Sequence, residues 1–117
     1  MKLYGIPNCS TVKKARAWLE QHAIAYEFHD FKKLGLDTPT GQSWLTQQPW
    51  EKLVNRSGMT WRNLGDAEKN AVVDASSALA LMQEKTSVIK RPVLVDHDRI
   101  LALGFNETDY ANLFAKE

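Results

Sequence analysis

KLYGIPNCSTVKKARAWLEQHAIAYEFHDF, residues 2–31, reads as a strand, a helix and a second strand. The opening KLYGI is a short β-type run closed by Pro7-Asn8. From Ser10 to about Ala23 the apolar residues Val12, Ala15, Trp18, Leu19 and Ala23 recur at three- and four-residue spacing, which is one face of an amphipathic helix. YEFHDF, from Tyr26 to Phe31, is rich in aromatic residues and bounded by Lys32-Lys33-Leu34-Gly35, as a strand would be. Fewer than twenty residues separate Ile6 from Tyr26, and a helix fills most of them. The two strands are therefore expected to be parallel neighbours joined by a right-handed crossover.

Working outward, the middle of the chain changes character. Asp37-Thr38-Pro39 is a helix start with proline in the first turn, Asp66 is a candidate cap for another helix, and NAVVDASSALALMQ, residues 70–83, is helical in composition and spacing. Gly41, Gly58 and Gly65 are expected to break this region into short pieces. It reads as an all-helical insert of three or four helices over about residues 37–85, too short to own a large core. Strand character returns at PVLVD, followed by a tight His97-Asp98 turn and RILALGF, together a hairpin. Asn106 then caps a last helix with Tyr110, Leu113 and Phe114 as its apolar stripe. The order β-α-β, helices, β-β-α is that of an α/β, thioredoxin-like fold: a mixed four-stranded sheet flanked by helices and enlarged by a helical insert.

Composition narrows the classes. At 117 residues, 44% hydrophobic and 25% charged, the chain is expected to be a single thioredoxin-like domain over residues 1–117. No apolar run approaches the roughly 20 residues of a membrane span, and the Met-Lys-Leu start lacks the apolar stretch of a secretory signal. One cysteine cannot make an internal disulfide, so a soluble protein of the reducing cytoplasm, with no membrane role, is expected. Fifteen basic against fourteen acidic residues give a formal charge of +1, which argues against direct nucleic-acid binding.

Cys9 sits where the first strand hands over to the first helix. Either Asn8 or Cys9 takes the cap position, and the unsatisfied N–H groups of Ser10, Thr11 and Val12 are expected to point toward the sulfur. The positive end of the helix dipole adds to them, and both favour thiolate over thiol. Free cysteines are often buried and inert, but the polar and turn-forming neighbours Pro7-Asn8 and Ser10-Thr11 are unlike a core. Val12 occupies the position of a second cysteine in a Cys-x-x-Cys pair, so any redox cycle must borrow its second thiol. His22, His29 and His97 lie far apart with no paired cysteine, so no metal site is expected.

Three segments, YGIPNCSTVKKARAWLEQHAIAYEFHDF, WEKLVNRSGMTWRNL and IKRPVLVD, resemble in that order the arsenate-reductase-related ArsC/Spx family, most closely its YffB-like branch. The resemblance implies a thioredoxin-like fold with a helical insert and a cis-proline at Pro92, after Arg91. It further implies that Arg91, with its planar fork of donors, holds an oxyanion or carboxylate at the cysteine. Two departures stand out. Asn55 occupies the place of a further family arginine, with Arg56 one position out of register, and Gly104 is followed by Phe105 where arsenate reductases carry arginine. The Spx branch grips RNA polymerase and often switches through Cys-x-x-Cys, which Val12 excludes here.

The expected function is that of a glutathione-dependent thiol reductase, a thiol-disulfide oxidoreductase working through a mixed disulfide at Cys9, with no bound cofactor and glutathione as co-substrate. Arg91, Arg56, Lys13 and the Ser10–Val12 amides are the candidate anion-binding groups, with Arg62 behind Arg56. Glutathione or a glutaredoxin-type thiol protein is the expected partner. The alternatives are an arsenate reductase drawing on glutathione or glutaredoxin, and an Spx-like regulator that docks on RNA polymerase.

Overall fold

A computed structural model describes residues 1–115. Its elements are β1 (Lys2–Gly5), α1 (Ser10–Gln21), β2 (Glu27–Asp30), α2 (Phe31–Leu34), α3 (Thr38–Gln47), α4 (Trp50–Leu53), α5 (Met59–Arg62), α6 (Asp66–Asn70), α7 (Ala75–Glu84), a 3₁₀ turn (Thr86–Val88), β3 (Val93–Asp96), β4 (Arg99–Leu103) and α8 (Glu107–Leu113). The chain divides into two units, Met1–Leu34 together with the segment from Arg91 onward, and Gly35–Lys90. No helix among the described residues is long and apolar enough to cross a membrane.

The first unit carries a mixed four-stranded sheet of order β2-β1-β3-β4. β1 runs parallel to β2, with Leu3 opposite Phe28 and Tyr4 opposite His29. It runs antiparallel to β3, with Leu3 opposite Leu94 and Tyr4 opposite Val93. The core gathers Leu3, Ala15, Trp18, Leu19, Leu94 and Tyr110, so the helical stripe read from the sequence is the face that packs on the sheet. The β3–β4 hairpin turns through His97 and Asp98 at φ 49° and 66°, the paired left-handed conformations that suit a two-residue hairpin loop.

Helix α1 ends two residues earlier than its apolar period suggests. The Ile24 N–H bonds to the Leu19 carbonyl at 2.9 Å and the Ala23 N–H to that of Glu20 at 3.2 Å, while Ala23 sits at φ 55°. This is a Schellman stop built on alanine in place of the usual glycine. The aromatic run after it is also shorter as a strand than its composition suggests, because Phe31 opens the one-turn helix α2.

The helical unit holds five α-helices among the described residues, more than the three or four expected. Gly41 does not break a helix. It lies inside α3, buried, and a Cβ there would collide with the Leu79 side chain of α7, so the glycine lets the two helices approach. Asp66 is not a cap either: Gly65 takes that position, and the Glu68 carboxylate accepts the Gly65 N–H at 3.2 Å. The expected helix over 70–83 splits because Asp74 and Ser77 form a capping box, with the Ser77 N–H on the Asp74 carboxylate at 2.9 Å, which starts α7 anew.

Candidate active site

Past β1 the chain buries Ile6, exposes Pro7 and Asn8, and enters α1 at Cys9. The Cys9 N–H donates to the Ile6 carbonyl at 3.3 Å, and the Cys9 carbonyl accepts the Lys13 N–H at 2.9 Å. With φ −98° and ψ 126°, Cys9 and not Asn8 is the helix cap. Strand and helix are drawn close here, because a Cβ on Gly5 would stand 2.8 and 3.1 Å from the two methyls of Val12. The sequence reading passed over Gly5, although a lone glycine inside an apolar strand is a signal of close backbone approach.

The half-buried Cys9 sulfur feels opposing influences. Burial by itself would raise its pKa, but the Val12 N–H, a hydrogen bond and charge from the Arg91 guanidinium, and the Thr11 N–H together outweigh it. The thiol is held below its ordinary range. No conventional side-chain cap bond forms at this position. The amides of the second and third helical residues act on the larger and more diffuse sulfur instead. Those are the two amides an N-cap side chain ordinarily reaches. The lowering traces to the Val12 and Thr11 amides and to Arg91, while the Ser10 amide stands at the first helical position and the Lys13 side chain is exposed.

Arg91 arrives by topology. β3 runs antiparallel to β1 with Val93 opposite Tyr4, so the residues just before β3 and just after β1 leave the sheet at the same end. The Arg91–Pro92 peptide bond is cis, and Pro92 is buried with its carbonyl accepting the Gly104 N–H at 2.8 Å. Cys9, Thr11, Val12, Arg91 and Pro92 thus belong to one unit. Arg56 belongs to the helical unit, exposed, with its guanidinium 5.5 Å from the centre of the Trp50 ring, and Arg62 lies in the same unit on α5.

The three histidines and Phe105 make local contacts. His22 stacks on Trp18 at 3.8 Å between ring centres, and His29 lies against Tyr4 at 4.5 Å. His97 stands in the hairpin turn, its Nδ1 3.2 Å from an Asp96 carboxylate oxygen. Phe105 packs edge-on against the buried Tyr110 at 4.7 Å, so that position supplies apolar packing and no charge. The first unit thus sets an activated sulfur nucleophile beside the Arg91 guanidinium, able to attack a disulfide sulfur or another electrophilic centre and to bind an anionic group beside it.

Known proteins with this sequence pattern carry the same fold. The model of the ArsC family matches residues 4–113. A solved structure named the YFFB protein superposes with a TM-score of 0.89 at 43% identity, covering 97% of this chain and 98% of that one. An arsenate reductase (ArsC) related protein from Brucella melitensis gives a TM-score of 0.76 at 47% identity, covering 97% and 92%. The global transcriptional regulator Spx of Enterococcus faecalis is 26% identical over 120 residues, all of this chain and 88% of the regulator. With its mixed sheet, its helical insert and a family match that runs from β1 to the end of α8, this chain belongs to the ArsC family.

Proposed function

We propose that this protein is a single-cysteine thiol-disulfide oxidoreductase that exchanges glutathione with disulfide substrates. The observation that carries the proposal is the Cys9 thiol held low by the Val12 and Thr11 amides and by Arg91. The thiolate attacks one sulfur of glutathione disulfide or of a glutathionylated protein. A Cys9–glutathione disulfide forms, and the departing sulfur leaves as a thiolate that takes a proton from water. A second glutathione thiolate then attacks the glutathione sulfur of the mixed disulfide, giving oxidised glutathione and restoring Cys9. Once the Cys9 charge is consumed in the disulfide, the Arg91 fork turns to a carboxylate of the bound tripeptide. A free thiol of this kind suits the cytoplasm.

The test is incubation of the folded protein with glutathione disulfide, read by intact mass, followed by turnover of a glutathionylated peptide with glutathione. One adduct on Cys9, absent in Cys9→Ser, together with turnover that requires Cys9, supports the reading. Failure of the folded wild-type protein to form the adduct overturns it.

The identity to Spx favours a second reading, a regulator that docks on RNA polymerase. Polymerase retained equally by wild type and Cys9→Ser would support docking over exchange. The likeness to the arsenate reductase related protein makes arsenate the other substrate to try, and protection of Cys9 from alkylation by arsenate is its sign.

A further inference from the structure

Within the helical unit, two segments far apart in sequence are pinned side by side. Val54 and Ile89 form an isolated antiparallel bridge, flanked by the Asn55 N–H on the Val88 carbonyl at 2.8 Å and the Lys90 N–H on the Leu53 carbonyl at 2.7 Å. The bridge residues are fully buried, so their polar neighbours face outward around an open depression of about 620 Å³. Lys52, Arg56 and Lys90 line it, with Asn55, Ser57 and Trp61.

Charge is concentrated there. Residues 35–90 carry the cations Lys52, Arg56, Arg62, Lys69, Lys85 and Lys90 against the carboxylates Asp37, Glu51, Asp66, Glu68, Asp74 and Glu84, an even balance. Three of those cations and only Glu51 of the carboxylates line the depression. None of the three makes an ion pair among the described residues, and the Asn55 and Ser57 side chains and the Trp61 indole N–H make no hydrogen bond there. A concave surface lined by one sign of charge focuses its field on an incoming counter-ion. Its volume is in the range of small-molecule sites and far exceeds that of a lone four-oxygen anion. Three separated cations ask for more than one anionic group, and half-buried Trp61 offers a flat aromatic wall.

We propose that this depression binds a nucleotide, its phosphates held by Lys52, Arg56 and Lys90 with Asn55 and Ser57 donating, and its base against Trp61. The site does not rest on Cys9 chemistry and stands or falls separately from it.

The test is titration of the full chain, labelled with ¹⁵N, with ADP at physiological ionic strength, alongside adenosine, inorganic pyrophosphate and a hexaglutamate peptide. Saturable shifts confined to the amides of residues 51–57, 61 and 90 are expected. Affinity should fall at least tenfold in Lys52→Gln/Lys90→Gln, both exposed positions, with the thermal midpoint unchanged. Trp61→Leu should weaken ADP but not pyrophosphate. Should Trp61→Leu unfold, tighter binding of ADP than of pyrophosphate by the wild type carries the same point. Absence of saturation, shifts elsewhere, or indifference to the double substitution would overturn the site. Pyrophosphate binding as tightly as ADP would overturn the base contact, and hexaglutamate binding more tightly than ADP would overturn the nucleotide in favour of an acidic polypeptide.

Discussion

Gly5→Ala tests how β1 and α1 are joined beneath the thiol. The added methyl would stand 2.8 Å from one Val12 methyl and 3.1 Å from the other. Val12 cannot yield easily: it is β-branched, fully buried, and sits in the first turn of α1. Overpacking of this kind costs about 1–3 kcal/mol. Loss of glycine entropy from the unfolded chain returns roughly 0.4–1 kcal/mol, so a net loss of about 1–2 kcal/mol is expected. Val12→Ala alone removes two buried carbons, worth roughly 0.8 kcal/mol each before any cavity cost. In the double variant the new methyl occupies part of the space that Val12 vacates. The two losses should then fall short of adding by about 1 kcal/mol or more, within the range measured for residues in contact. Urea unfolding of the four proteins measures this coupling. Additivity to within about 0.3–0.5 kcal/mol would refute the close approach. The same variant reports on the site, because a displaced α1 start carries the Val12 N–H away from the sulfur. The inflection in Cys9 alkylation against pH should move up in Gly5→Ala and return toward wild type in the double variant.

Arg91→Met should move the Cys9 alkylation inflection to higher pH, with Arg91→Lys between it and wild type, since lysine keeps the charge but not the fork; an unmoved inflection would remove Arg91 from the site. A thiol whose pKa is lowered by folding stabilises the fold above its unfolded pKa and loses that contribution as pH falls through the folded value. The stability advantage of wild type over Cys9→Ser should therefore shrink on acidification, as read by denaturant unfolding at a series of pH values. Tyr110 is fully buried, its hydroxyl has no partner among the described residues, and burial pushes its phenol far above the ordinary range. Tyr110→Phe should be neutral or stabilising by about 1 kcal/mol, and a clear loss of stability would mean the hydroxyl has a partner.

What the sequence made legible was what local periodicity controls. The stripe of Val12, Ala15, Trp18 and Leu19 announced α1 because a helix face repeats at a short, fixed interval, and all four residues are buried. The cap at Cys9 was open between two residues because both Asn8 and Cys9 can stand outside a helix, and only the Lys13 bond to the Cys9 carbonyl decides it. Ala23 gave no stop signal, since alanine is a good helix former that here adopts a left-handed φ to complete a Schellman motif. In the helical unit the break between α6 and α7 is local, set by the Asp74–Ser77 capping box, whereas the error at Gly41 is tertiary. Gly41 is a breaker by propensity, but tertiary packing overrode propensity where Leu79 needs the space that a Cβ would fill. The nearness of Arg91 to Cys9 could not come from spacing at all. It depends on β3 being antiparallel to β1, which is a long-range pairing, and only the resemblance to a known family anticipated it.

The thiol's backbone partners can be separated from the general field of the helix by two proline substitutions. Ser10 and Thr11 are the first two residues of α1, where an N–H has no carbonyl to meet within the helix and proline is tolerated. Ser10→Pro removes the amide of the first helical position, outside the Thr11 and Val12 pair that lowers the Cys9 pKa, and it restricts Cys9 to the extended region that residue already occupies at φ −98° and ψ 126°. Thr11→Pro removes an amide that does act on the sulfur, while pressing Ser10 away from helical geometry. If the thiolate is held by directed hydrogen bonds, Thr11→Pro should raise the alkylation inflection and Ser10→Pro should leave it in place. Circular dichroism and thermal melting would report separately on any fraying of α1. A helix dipole acting alone treats the two amides alike, so an equal shift in both variants would refute the directed bonds and leave the macrodipole and Arg91 as the source of activation. An unmoved inflection in both would leave Val12 as the one amide that matters, and Cys9 would then owe its reactivity to the same residue that Gly5 makes room for.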